Sequence, residues 1–155
     1  MATTSGHFVH KSERRTKNGG VHIRPVCYFT GSVKGDSEVG GVCGRNNDPI
    51  TACYSAGSVE EISNVSSMVG GICGNNNSTI TACYCTNSSL SEISYNSGNA
   101  TKVEEVNGTS VTWTDGDNSA LSVMNDAISQ SKYKYTENTD PDTSAGIPLV
   151  LVQKK

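Results

Sequence analysis

Val39-Gly40-Gly41-Val42-Cys43-Gly44-Arg45-Asn46-Asn47-Asp48-Pro49-Ile50-Thr51-Ala52-Cys53-Tyr54 recurs thirty positions later as Val69-Gly70-Gly71-Ile72-Cys73-Gly74-Asn75-Asn76-Asn77-Ser78-Thr79-Ile80-Thr81-Ala82-Cys83-Tyr84. Of the sixteen positions only four change, namely Val42, Arg45, Asp48 and Pro49. A unit this short cannot bury its own apolar face, and stacking of equivalent units is the usual remedy. The repeat therefore predicts stacked β structure, with Val42 beside Ile72 and Cys53 beside Cys83.

Each part of the repeat has a local role. Gly40-Gly41 and Gly70-Gly71 mark places where a side chain would block either a positive φ or a close approach of two backbones. Asn46-Asn47 and Asn75-Asn76-Asn77 follow, and Asn suits a turn because it tolerates left-handed backbone. Ile50–Ser55 and Thr79–Cys85 are rich in Ile, Thr, Cys and Tyr and predict short strands. Strict alternation cannot turn both Ile50 and Cys53 inward, so a bend is expected between them.

The pattern extends in both directions. Cys27-Tyr28-Phe29-Thr30-Gly31-Ser32-Val33 matches Cys53-Tyr54-Ser55-Ala56-Gly57-Ser58-Val59, and Cys83-Tyr84-Cys85 opens a drifted last copy. From Cys27 to Gly40 is thirteen residues, as it is from Gly40 to Cys53 and from Gly70 to Cys83, but from Cys53 to Gly70 is seventeen. The added length falls in Glu60–Met68, which reads as a surface excursion.

Val-Gly-Gly-Ile-x-Gly, an Asn-rich turn, Ile-Thr-x-Cys-Tyr and then Ala-Gly-Ser-Val together resemble the GLUG motif of bacterial secreted and surface proteins. The resemblance covers Cys27 to about Ser89. It implies a parallel β-solenoid, β-helix-like, of two to three coils. It also implies export to the cell surface, a stalk or adhesion role, and no catalysis.

Three regions are expected: residues 1–24 as an irregular, partly disordered arm, 25–95 as the repeat solenoid, and 96–155 as a C-terminal cap. In the cap, Asn107-Gly108 between Val103–Val106 and Thr109–Val111 is a strong hairpin signal. Asp115–Ser119 supplies turn and N-cap residues. Leu121, Met124 and Ile128 share one face of a short helix. Ile147–Val152 reads as a terminal strand. Helix and strand are expected to cover the exposed end of the stack.

Composition limits what the chain does. It has 155 residues, a formal charge of −3 and an apolar fraction of 34%, so no large aromatic core is available and general nucleic-acid binding is disfavoured. Basic residues concentrate early, with Lys11, Arg14, Arg15, Lys17 and Arg24 against the single acid Glu13. No stretch approaches the roughly 20 apolar residues of a membrane span, so no membrane insertion is expected. Met1–His10 lacks the apolar centre of a secretion signal, so export is expected to depend on a longer precursor.

The six cysteines, Cys27, Cys43, Cys53, Cys73, Cys83 and Cys85, follow the repeat. Stacking predicts Cys43 beside Cys73, and Cys27, Cys53 and Cys83 in a row. Two fates stay open for them: small buried hydrophobes in an interior ladder, or disulfides in an oxidising compartment. No Cys-x-x-Cys pair argues for zinc. His7-x-x-His10 has helical metal spacing but lies in the arm, and Asp115-x-Asp117-x-Ser119 lacks the later residues of a calcium loop. No catalytic, cofactor or metal residue is assigned.

The structural residues of the repeat are Cys27, Gly40, Gly41, Cys43, Cys53, Tyr54, Gly70, Gly71, Cys73, Cys83 and Tyr84. Recognition of a glycan or protein ligand is expected on the Asn-rich turns and on the excursion carrying Glu60, Glu61 and Asn64. Self-association is expected through an open N-terminal coil. Two alternatives carry different signatures. A carbohydrate-active β-helix enzyme would stack two acids on successive coils, whereas Asp36, Glu38 and Asp48 have no acidic equivalent in the next copy. A fragment of a larger surface protein would have no autonomous activity.

Overall fold

The computed structural model describes residues 3–17, 20–62, 68–85, 114–115, 118–140 and 149–155. Among the described residues the chain is mostly strand, with one short helix. In chain order the elements are β1 (Thr3–Lys17), β2 (Gly20–Gly35), β3 (Val39–Gly40), β4 (Cys43–Asn46), β5 (Ile50–Thr51), β6 (Tyr54–Ser55) and β7 (Ser58–Glu61). There follow β8 (Val69–Gly70), β9 (Cys73–Asn76), β10 (Ile80–Thr81), β11 (Tyr84–Cys85), β12 (Thr114–Asp115) and β13 (Asn118–Ser119). The last are α1 (Ala120–Ala127), β14 (Tyr133–Glu137) and β15 (Leu149–Gln153).

Equivalent strands of the repeat pair in parallel and in register. Val39 lies opposite Val69, Cys43 opposite Cys73, Ile50 opposite Ile80 and Tyr54 opposite Tyr84. The preceding copy joins the same arrangement, with Tyr28 opposite Tyr54 and Ser32 opposite Ser58. Between the strands, the Val42 amide donates to the Ile72 carbonyl at 2.9 Å. The expected neighbours are thus neighbours in space.

The bend expected between Ile50 and Cys53 is present. Ala52 has φ 52° and Ala82 has φ 50°, both in the left-handed region that non-glycine residues seldom adopt. One such residue between β5 and β6 redirects the chain, and Ile50, Ala52 and Cys53 are all buried as a result. The glycine pair serves close approach. A Cβ on Gly40 would lie 2.6 Å from Cys73 Cα and 2.7 Å from Gly74 N.

Two apolar clusters divide the side chains of these strands. Cys27, Cys53, Cys83, Cys73, Ile50, Ile72 and Ile80 form one cluster. The next residue along the strand faces the other way. Tyr28, Tyr54 and Tyr84 accordingly join a second cluster with Ala120, Met124, Ile128, Tyr135 and Leu149 of the C-terminal segment. Tyr28 and Tyr54 stack with centroids 5.0 Å apart and planes 7° from parallel.

The C-terminal segment holds the expected helix and terminal strand, but its placement differs from an end cap. Ala120, Met124 and Ile128 recur at i, i+4 and i+8 and are buried, so one stripe of α1 faces the tyrosines. Ser119 takes the N-cap position with extended φ and ψ and makes no side-chain cap bond. β15 pairs antiparallel with β14, and Asn125 ties α1 to β14 by accepting the Tyr135 amide at 2.8 Å and donating to its carbonyl at 3.0 Å. The Tyr135 hydroxyl reaches the Cys27 carbonyl at 3.0 Å and the Ala52 carbonyl at 2.8 Å, so it touches two copies at once. The Tyr54 hydroxyl donates to the Leu149 carbonyl. The segment is a flank laid across successive copies. The hairpin expected at Asn107-Gly108 lies outside the described residues.

The arm expected to be irregular is instead a strand. Residues 3–17 pair antiparallel with β2 along their whole length, from Thr3 opposite Lys34 to Lys17 opposite Gly20. In the sequence Asn18-Gly19 stands between the two runs, and Asn-Gly between β-prone runs is the strongest short hairpin signal. β1 runs along the edge of β2 opposite β6 and β7. It occupies the strand edge through which self-association was expected.

Candidate functional site

The thiols form one group inside the paired copies. Cys27 and Cys53 are buried, with their sulfurs 2.9 Å apart. The Cys53 amide donates to Cys83 Sγ at 3.3 Å, and Cys83 Sγ donates to the Thr81 carbonyl at 3.3 Å. Cys43 and Cys73 are directly opposite on β4 and β9, hydrogen-bonded to each other. Cys73 Sγ also donates to the Asn75 carbonyl at 3.2 Å. All six cysteines are thiols.

Their surroundings separate them chemically. Burial raises the Cys53 thiol pKa well above its ordinary value, and hydrogen bonds with Cys27 and Cys83 add to this. Between Cys43 and Cys73 the shared hydrogen bond acts in opposite directions, lowering the Cys43 pKa and raising that of Cys73. Cys43 is also the more exposed of this pair. Within this pair Cys43 is therefore the thiol more readily ionised, and the thiolate is the reactive form.

The Asn-rich turns are partly internal. Asn46 Nδ2 donates to Asn76 Oδ1 at 2.8 Å, and both residues are buried. Each Asn also closes its own turn: Asn46 Oδ1 accepts the Asp48 amide and Asn76 Oδ1 the Ser78 amide, both at 3.2 Å. Asn47 and Asn77 are the exposed members, linked at 3.3 Å. Of the Asn residues in these turns, only Asn47, Asn77 and the half-buried Asn75 reach the surface.

Of the excursion expected at Glu60–Met68, residues 63–67 lie outside the described residues, and its first two residues are strand. Glu60 and Glu61 belong to β7 and pair with Lys34 and Gly35 of β2. The register brings the Lys34 ammonium 2.5 Å from the Glu60 carboxylate. Glu60, Glu61 and Ile62 are all exposed, and Ile62 at 54% is the one exposed large apolar side chain among the described residues. Asn64 lies outside the described residues.

A charged cluster escaped the sequence reading. Glu38 receives hydrogen bonds from Arg45 and, at 2.9 Å, from Asn75 Nδ2 of the next copy. The Arg45 hydrogen bond is the main cause of the lowered Glu38 pKa, followed by that from Asn75. The exchange of Arg45 for Asn75 between copies is the only trace of this cluster in the sequence. Among the described residues no group of three or more His, Cys, Asp or Glu side chains is arranged to hold a metal ion. His7 and His10 lie on β1, where helical spacing has no meaning. No helix among the described residues is long and apolar enough to cross a membrane.

Comparison with known proteins finds no matching family model, no matching curated protein and no matching solved structure.

Proposed function

We propose that the chain is a non-catalytic module of a secreted or cell-surface protein, a short parallel β-solenoid of the GLUG type that serves as a stalk or adhesion surface. The observation that carries this is the in-register parallel pairing of near-identical copies, from Val39 opposite Val69 to Tyr54 opposite Tyr84. Most residues that recur are spent on packing: Gly40 on backbone approach, Cys53 and Cys83 in one apolar cluster, Tyr54 and Tyr84 in the other, with Asn47 and Asn77 recurring at the surface. Most of what varies is exposed, namely Arg45, Asp48 and Pro49 in one copy, Thr79 in the next, and the Glu60–Ile62 stretch between copies, whereas the interior change is only Val42 for Ile72. A repeat that fixes its interior and varies its surface is suited to presenting a rigid recognition face. Positions equivalent to the acids Glu38 and Asp48 are Met68 and Ser78, which gives no stacked carboxylate pair for glycoside cleavage at these sites.

The ligand class is a glycan or a matrix protein met through Asn47, Asn77, Glu61 and Ile62. A glycan and matrix-protein array probed with the full chain and with an Asn47→Ala/Asn77→Ala/Glu61→Ala/Ile62→Ala variant tests this. Specific binding lost in the variant supports the proposal. Equal binding by both, or binding by neither, removes this face as a recognition surface.

A further inference from the structure

We propose that the paired thiols are a modification site: in an oxidising environment Cys27 joins Cys53 and Cys43 joins Cys73, each disulfide tying one copy to the next, while Cys83 and Cys85 remain thiols. The inference rests on the strand register and is independent of the role proposed above. The sulfurs of Cys27 and Cys53, at 2.9 Å, are closer than two sulfurs in simple contact. These residues directly precede Tyr28 and Tyr54, which are paired in register. Cys43 and Cys73 are themselves register partners. Neighbouring parallel strands lie about 4.8 Å apart, inside the range of Cα separations that a disulfide bridges, roughly 4.4–6.8 Å.

Cys53 has two neighbours in the row and can bond only one. Cys83 Sγ accepts the Cys53 amide at 3.3 Å and directs its own hydrogen to the Thr81 carbonyl at 3.3 Å. Cys83 thus approaches Cys53 as well, through the Cys53 amide and thiol, while its own hydrogen is engaged within its copy. The 2.9 Å sulfur contact is to Cys27, so Cys27 is assigned as the partner. The two cross-links interlock, since Cys43 lies within the loop closed by Cys27 and Cys53.

The chemistry is thiol–disulfide exchange with a small-molecule disulfide such as oxidised glutathione. One protein thiolate attacks a sulfur of the reagent, forming a mixed disulfide and releasing one reagent thiolate. The second protein thiolate attacks the protein-bound sulfur and releases the other. The two protein protons pass to the two departing thiolates. Two electrons pass to the reagent, so two protein thiols and one reagent disulfide give one protein disulfide and two reagent thiols. Cys43, half-exposed and the more acidic of its pair, is the entry point in the folded protein. Cys27 and Cys53 are sealed, so their bond forms during folding.

The full chain, refolded from its reduced denatured state in a buffer of reduced and oxidised glutathione, is denatured and alkylated without reductant, and its mass is read. Two of the six cysteines are expected to label, rising to six after reduction. Digestion with trypsin and a Glu-specific protease separates the peptides of Cys27, Cys43 and Cys53 from that of Cys73, and is expected to link the Cys27 peptide to the Cys53 peptide. The doubly oxidised form should melt about 10 °C or more above the reduced form. A Cys83→Ala/Cys85→Ala variant should form the same two cross-links. Six labelled cysteines in glutathione buffer, or a Cys53–Cys83 linkage, overturns the proposal.

Discussion

Asn46 donates its side-chain amide to the side-chain oxygen of Asn76, one copy away, at 2.8 Å, and both side chains are buried. The acceptor oxygen also holds the Ser78 amide, and Asn76 Nδ2 reaches the Ser78 carbonyl at 2.8 Å. Asn76→Ala therefore removes a turn and leaves the Asn46 amide buried without this acceptor. The expected cost is about 2–3 kcal/mol, because an orphaned buried donor carries its full desolvation penalty. Asn46→Ala leaves Asn76 its turn bonds and should cost less. Urea unfolding of both single variants and the double variant should give a coupling energy of about 1 kcal/mol. A coupling of zero would show that the two side chains do not meet.

Gly40 is needed for space. A Cβ there would lie 2.6 Å from Cys73 Cα and 2.7 Å from Gly74 N, and backbone atoms cannot move aside as a flexible side chain does. Gly40→Ala is expected to cost more than 3 kcal/mol, the upper range for overpacking. A Tm within about 2 °C of the parent protein would contradict the close approach of β3 to β9.

Tyr135 joins the C-terminal flank to two copies of the repeat through the Cys27 and Ala52 carbonyls. Tyr135→Phe keeps the ring and removes the donor, with an expected loss of about 1–2 kcal/mol at neutral pH. Burial raises the phenol pKa well above its ordinary value, and the nearby thiols Cys53, Cys27 and Cys83 add to it. A raised folded-state pKa gives stability that is complete below the ordinary tyrosine value of about 10 and declines as pH rises beyond it. Tyr54, Cys53 and Cys73 contribute to that decline in the same sense. Unfolding free energies followed from neutral pH to about pH 11 should fall for both proteins, and less steeply for the Phe variant. Parallel curves would place the Tyr135 phenol in solvent.

The sequence displayed the repeat, the partners Val42 with Ile72 and Cys53 with Cys83, and a bend between Ile50 and Cys53, because identical residues at a fixed offset leave little choice of register. The N-terminal strand was missed for a different reason. Asn18-Gly19 is a hairpin signal, but the run before it, Lys11 to Lys17, holds no apolar residue whose alternation would mark a strand. β14 was also readable, since Tyr133-Lys134-Tyr135-Thr136 alternates as a strand does, with Tyr135 the buried member. The sideways seat of the C-terminal segment was not readable. A Tyr that follows each Cys of the row must face the opposite way, but nothing local says that a helix a hundred residues from Val26 will cover that face. Of the candidate recognition residues, Glu60 and Glu61 were assigned to a loop because length variation locates an insertion only to within several residues.

Ala82, like Ala52, adopts left-handed backbone, with φ 50° between β10 and β11. For an L-residue with a Cβ this costs roughly 1–2 kcal/mol. Ala82→Gly relieves that strain, but it loses a buried methyl of about 0.8 kcal/mol and adds unfolded-state freedom of about 0.5–1 kcal/mol. The net change is expected within about 1 kcal/mol of zero. Ala82→Val adds a β-branch that the left-handed region excludes, and should cost at least about 2 kcal/mol. The neighbouring Thr81 is exposed on a strand, where Thr81→Val should be nearly neutral. Were the chain extended at Ala82, Val would be tolerated there as it is at Thr81 and Gly would be the damaging change. Denaturant unfolding of the three variants, ranked by midpoint, therefore reads the backbone conformation that turns each copy of the repeat toward its cysteine row.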